Sequence, residues 1–185
     1  MRLIATASSL ALAACSPSAA DDIASSERAA QQAVAEIPLP SPDTTGARWV
    51  ASTNPQRILY GKPDQPALIA LACEQNGPQP HLRLIRFAPA PVGGKAVFAV
   101  DGNGYIARWK ADAAQAEGGY NWQSVVGLDE FKLGALLGPR SIEATIPGAG
   151  TVIINQNELP RQLIEQCRSF IAPPLAAARS PRPTP

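Results

Sequence analysis

His81 is the one imidazole in this chain of 185 residues, and that count limits the chemistry before any fold is considered. Without HExxH or a cluster of imidazoles, neither a catalytic nor a structural zinc site can be assembled in the usual way. No GxSxG marks a Ser nucleophile, and PQPHLRL gives His81 no local relay partner. DGNGY sets Asp101 and Asn103 one residue apart, as calcium ligands are set. The further oxygen ligands and late Glu of an EF-hand do not follow, so both are read as turn formers. Asp129 and Glu130 are adjacent and would diverge around a helix start, where they serve the dipole; they do not face one another as glycosidase carboxylates must. GNG and PGAG belong to no strand-to-helix phosphate cradle. The reading therefore names no catalytic, cofactor-binding or metal-ligating residue.

The N-terminal MRLIATASSLALAACSPS carries different information. Leu3 to Ala14 is too short to cross a bilayer, which takes roughly 20 apolar residues, but it suits the h-region of a secretory signal. Leu12, Ala13, Ala14 and Cys15 resemble the lipobox of bacterial lipoproteins. That resemblance implies cleavage before Cys15, a diacylglyceryl thioether on its sulfur and an acyl chain on its new amine. Ser16 after the Cys implies an outer-membrane address, with the domain on the periplasmic face. Charge adds nothing to the attachment: 16 Lys and Arg stand against 15 Asp and Glu, without the basic excess that nucleic acid would call for. The membrane is met through the lipid.

Export gives the other two cysteines a meaning. In an oxidising compartment an even pair, Cys73 and Cys167, reads first as a disulfide. The competing nucleophilic Cys would need a base, and only His81 is on offer.

The elements fall in a clear order. Residues 1–14 form the signal peptide and 15–45 a tether, in which Ser26 could cap a short Ala-rich helix and IPLPSPDTTG should be extended. The domain is placed at 46–170, and the Pro-rich 171–185 is expected to be disordered. Within the domain, Trp49–Val50, RILYG, PALIALACEQ, HLRLIRF, KAVFAV, YIARW and YNWQSVVG read as strands. In HLRLIRF, Leu82, Leu84 and either Ile85 or Phe87 compete for the inner face, with Arg83 and Arg86 outside, which suggests a bulge. Tyr105, Ala107 and Trp109 share one face of their strand. LDEFKLGALLG puts Leu128, Phe131, Ala135 and Leu136 on one helical stripe. SIEATIPGAGTVIIN is a hairpin, and Asn157 caps ELPRQLIEQC, with Leu159, Leu163, Ile164 and Cys167 on one face. The sum is a mainly β domain, most simply an antiparallel sandwich with two short helices, with α+β as the alternative.

Trp49, Cys73, the LRLIRF strand, Asp101, Trp109, Phe131 and a terminal helix ending in Cys167 together resemble the VasI and IalB-like periplasmic proteins over residues 47–168. The resemblance implies a stapled periplasmic β domain with an accessory role. The expected function is accordingly a non-catalytic envelope lipoprotein that binds a protein or peptidoglycan. Tyr105, Trp109 and Trp122 are the candidate aromatic contacts; Arg83 and Arg108, with Arg86 and Lys110, make a candidate cationic strip. A lysozyme-inhibitor-like protein and, less favoured, a cell-envelope hydrolase are the alternatives.

Overall fold

The computed structural model describes residues 38–171; the signal, Cys15, most of the tether and the Pro-rich tail lie outside them. Nine strands are present: β1 (Arg48–Ala51), β2 (Arg57–Gly61), β3 (Ile69–Glu74), β4 (His81–Pro89), β5 (Lys95–Gly102), β6 (Tyr105–Ala116), β7 (Gly119–Gly127), β8 (Ile142–Thr145) and β9 (Thr151–Ile154). A 3-10 turn (Phe131–Leu133) leads into the one-turn helix α1 (Gly134–Leu137), and α2 (Leu159–Ser169) ends the domain. The domain is mainly β with two short helices, as the sequence periods indicate.

The expected two-sheet sandwich is replaced by one continuous ladder. The strands pair antiparallel in the order β1-β2-β3-β4-β7-β6-β5-β8-β9, and this single sheet curls until its two ends nearly meet. Side chains close the remaining gap. The Tyr60 hydroxyl on β2 donates to the Ile153 carbonyl at 2.9 Å and accepts from the Asn155 N–H at 3.0 Å. Trp49 Nε1 donates to Gln156 Oε1, and Asn157 Nδ2 donates to the Trp49 carbonyl. Residues 38–45 add a strap, since the Leu39 N–H reaches the Gly148 carbonyl, Thr151 N–H reaches Ser41 Oγ, and Asp43 pairs with Lys62. Curling removes the edges that an open sheet would leave exposed.

Alternation decides what lies inside. Trp49, Tyr60, Ile69, Leu71, Leu82, Leu84, Phe98, Val100, Val152 and Ile154 form one buried cluster, because residues two apart on a strand share a face. Asn103 (φ 54°) and Gly104 (φ 82°) make the two-residue turn from β5 to β6, where both positions need the left-handed region. Asn103 also holds the neighbouring loop: Nδ2 donates to the Ala135 carbonyl at 2.9 Å and Oδ1 accepts from the Arg140 N–H at 3.1 Å. Helix α2 starts with Pro160 in its first turn and buries Leu163, Ile164 and Cys167; Asn157 Oδ1 takes the Leu159 N–H. The disulfide Cys73–Cys167 fastens this helix to β3. Phe131 departs from the expected stripe: it is 76% exposed, and its ring meets Tyr105 edge-on at 5.1 Å.

Candidate functional site

Trp109 and Trp122, expected as surface contacts, are core residues at 8% and 6% exposure. Both occupy inward positions of curled strands, so their rings fill the barrel and offer no exposed aromatic patch. Tyr105 is half-buried against Phe131.

The cationic strip is not assembled either. Strand β7 lies between β4 and β6, which separates Arg83 from Arg108 and Lys110. Arg83 is committed to Glu74 on the neighbouring strand: Nε and Nη2 each donate to one carboxylate oxygen at 2.6 Å, and Nη1 donates to Gln123 Oε1. That fork holds the Glu74 carboxyl below the usual carboxylate range and raises Arg83 in turn. His81 Nε2 stands 3.3 Å from Glu74 Oε2, so the chain's single imidazole lies against the Arg83–Glu74 pair, beside the disulfide. Arg108 remains exposed on the outer face, opposite Ala99. Arg86, expected outside, is 5% exposed; it sits inside because it continues the inward row of Leu82 and Leu84.

A different arginine occupies the most distinctive outer surface. Strand β3 is buried on both faces. Ala70 and Ala72, with Ile85 of β4, are buried on the side away from the core cluster. Small side chains there leave a furrow beneath taller neighbours on β2 and β4. Arg57 crosses it with its guanidinium 5.7 Å from the centre of the Phe87 ring, a cation–π arrangement. No carboxylate pairs with Arg57 among the described residues, and its Nε is buried without an acceptor. Depressions open on either side. One is mainly apolar and lined by Leu59, Pro66, Ala67 and Phe87. The other is lined by Asn54, Gln56, Glu74, Gln75 and Asn76.

This arrangement can hold an extended ligand that has an apolar group, an anion and hydrogen-bonding amides in sequence. Sequence reading missed it because Arg57 and Phe87 meet only through the β2-β3-β4 pairing. Comparison with protein-family models, curated proteins and solved structures finds no match.

Proposed function

We propose that this chain is a non-catalytic lipoprotein of the bacterial envelope and that its barrel is an accessory, partner-binding module. A lipid on Cys15 anchors it at the periplasmic face of the outer membrane, and the 15–45 tether sets its reach. The LAAC motif, the resemblance to VasI and IalB-like proteins and the disulfide support the setting. The observation that carries the binding reading is Arg57: a cation with no acid partner among the described residues, over the Phe87 ring at 5.7 Å, between an apolar depression and a polar one lined by Asn54, Gln56, Glu74, Gln75 and Asn76. Desolvated guanidinium groups attract carboxylates strongly and read them by geometry. The ligand chemistry is therefore a carboxylate-bearing extended peptide, which an envelope protein or a peptidoglycan stem peptide can supply.

The test is photo-crosslinking in intact envelopes from a reactive residue placed at Leu59, followed by separate analysis of protein and peptidoglycan adducts. An adduct that disappears on Arg57→Ala, with melting temperature unchanged, supports the reading and identifies the source. An adduct insensitive to Arg57→Ala, or no adduct from either fraction, overturns the site. Turnover of an envelope substrate that is lost on His81→Ala would replace the non-catalytic assignment.

A further inference from the structure

The furrow does not end at Phe87. That residue also walls a further depression between the end of β4 and the β6–β7 hairpin, lined as well by Pro89, Ala90, Ala116, Glu117, Gly118 and Tyr120. The polar depression and the apolar one share Asn54 and Arg57, and the apolar one shares Phe87 with this third. The three therefore adjoin in a fixed order, from β2 and β3 across β4 to the hairpin. Nothing lies within 4 Å of where a side chain would begin at Gly118 or Gly119, so the hairpin end is open.

Phe87, the shared wall, is held from within. It stands where the β4–β7 register shifts between Arg86 and Pro89, a place where backbone groups lose their ladder partners. Its N–H donates to the Leu68 carbonyl at 3.0 Å. The buried Arg86 bonds the same two residues: Nη1 donates to the Leu68 and Phe87 carbonyls at 3.2 and 3.3 Å, and Nη2 donates to the Ala149 carbonyl at 3.1 Å. One guanidinium thus ties Phe87 to Leu68, the residue that follows the Pro66–Ala67 wall of the apolar depression. A buried charge with only neutral partners is costly, and burial pulls this guanidinium below its ordinary pKa. The arrangement fixes both walls before any ligand arrives, and a preformed groove loses less freedom on binding.

Charge sorts the depressions. Arg57 marks the place of a carboxylate. Glu117 is exposed and is the one charged residue lining the hairpin depression; no basic group pairs with it among the described residues. An uncharged floor with a single carboxylate beside its open end suits a long basic side chain, whose methylenes lie along the floor while its head stays at the rim. The geometry points to a second subsite here, for a Lys or Arg of the same extended ligand whose carboxylate meets Arg57. Between them the depression walled by Leu59, Pro66 and Phe87 takes a large apolar side chain. The occupant is a segment of another envelope protein that sets acidic, apolar and basic residues in that order along the groove. This assignment rests on the carboxylate reading of Arg57 and adds the other end of the ligand.

Capped synthetic peptides provide the test. Each holds one Asp, one Leu and one Lys, with up to three Ala between Leu and Lys, in both chain directions; a second set has Gln in place of Lys. They are titrated at low ionic strength into the full chain labelled with ¹⁵N. The best Lys peptide should move the Arg57 Nε–H signal and the Gly118 and Gly119 amide signals together and saturably. The Trp49 indole, which already donates to Gln156, should stay in place as the internal control. The matching Gln peptide should bind about fivefold more weakly, as an exposed ion pair at low salt allows, and leave the glycine signals in place. Glu117→Gln, an exposed change, should erase the difference between the two peptides and keep the Arg57 response; Arg57→Ala should remove both responses. Equal affinity of the Lys and Gln peptides, or still glycine signals beside a moving Arg57, would overturn the second subsite and leave the Arg57 reading standing. No response to any peptide, while a soluble muropeptide digest moves the same signals, would give the furrow to peptidoglycan and overturn the protein occupant. No response to either would overturn the Arg57 reading as well.

Discussion

Reduction of Cys73–Cys167 should lower the melting temperature by about 17 °C. The bond closes a loop with a sequence separation of 94, and loop-closure entropy for that length gives about 4.7 kcal/mol at 25 °C. A described domain of about 130 residues unfolds with an entropy of about 0.28 kcal/mol/K near its midpoint, and the ratio of the two figures gives the shift. Native packing should change little, because Leu163 and Ile164 stay buried against the core without the staple. The assay compares thermal unfolding by circular dichroism of the oxidised protein, the same protein in excess phosphine reductant, and a Cys73→Ser/Cys167→Ser variant. Hydrogen exchange across α2 adds a local reading, since that helix loses its covalent cross-link to β3. A shift under about 4 °C, with the bond shown intact beforehand by peptide mapping, would refute the premise that the staple acts by restricting the unfolded chain.

Three further outcomes are expected. Asn103→Ala should cost about 2–3 kcal/mol, since at φ 54° it replaces a residue that tolerates the left-handed region by one that does not, and removes the bonds to Ala135 and Arg140; Asn103→Gly should recover the backbone part alone, and equal losses in chemical denaturation would contradict this division. Arg83 holds the Glu74 pKa below its unfolded value, so this pair adds stability above the unfolded carboxyl pKa that is lost as pH falls through the lowered folded one; Glu74→Gln should flatten the acid limb of the melting-temperature profile, and an unchanged limb would assign acid sensitivity elsewhere. Cys15→Ser should abolish lipid attachment and release the protein from membranes, and mass spectrometry showing an unmodified Cys15 in native protein would reject the anchor.

Much of the domain is legible because its local signals agree. Asn-Gly between alternating runs gives the β5–β6 turn; PGAG gives the β8–β9 turn; the stripe ending in Cys167 gives α2 and its buried face. Strand order is a different quantity. Whether nine strands divide into two sheets or close as one depends on which distant edges pair. Here closure rests on single side chains such as Tyr60 and Trp49, whose partners on the far side of the chain have no local signature. The outer furrow is hidden for the same reason: Arg57 and Phe87 are informative only once β3 lies between them with Ala70 and Ala72 facing out.

HLRLIRFAP separates two kinds of sequence signal that usually coincide. By hydrophobicity, Leu82, Leu84, Ile85 and Phe87 compete for the interior and both arginines belong outside. By period alone, Leu82 and Leu84 extend to Arg86 and Ala88, and all four are buried. The period wins because β4 pairs on both sides through Arg86, which fixes its pleat up to the register shift before Pro89. Turning Arg86 outward would require a slip of the whole strand and would expose Leu82 and Leu84 together, whereas keeping it inside strands one charge. Three carbonyls, of Leu68, Phe87 and Ala149, meet part of that cost. A charge that the period forces inward, in a strand whose other inward residues are apolar, is visible in the sequence only when alternation is followed through the arginine.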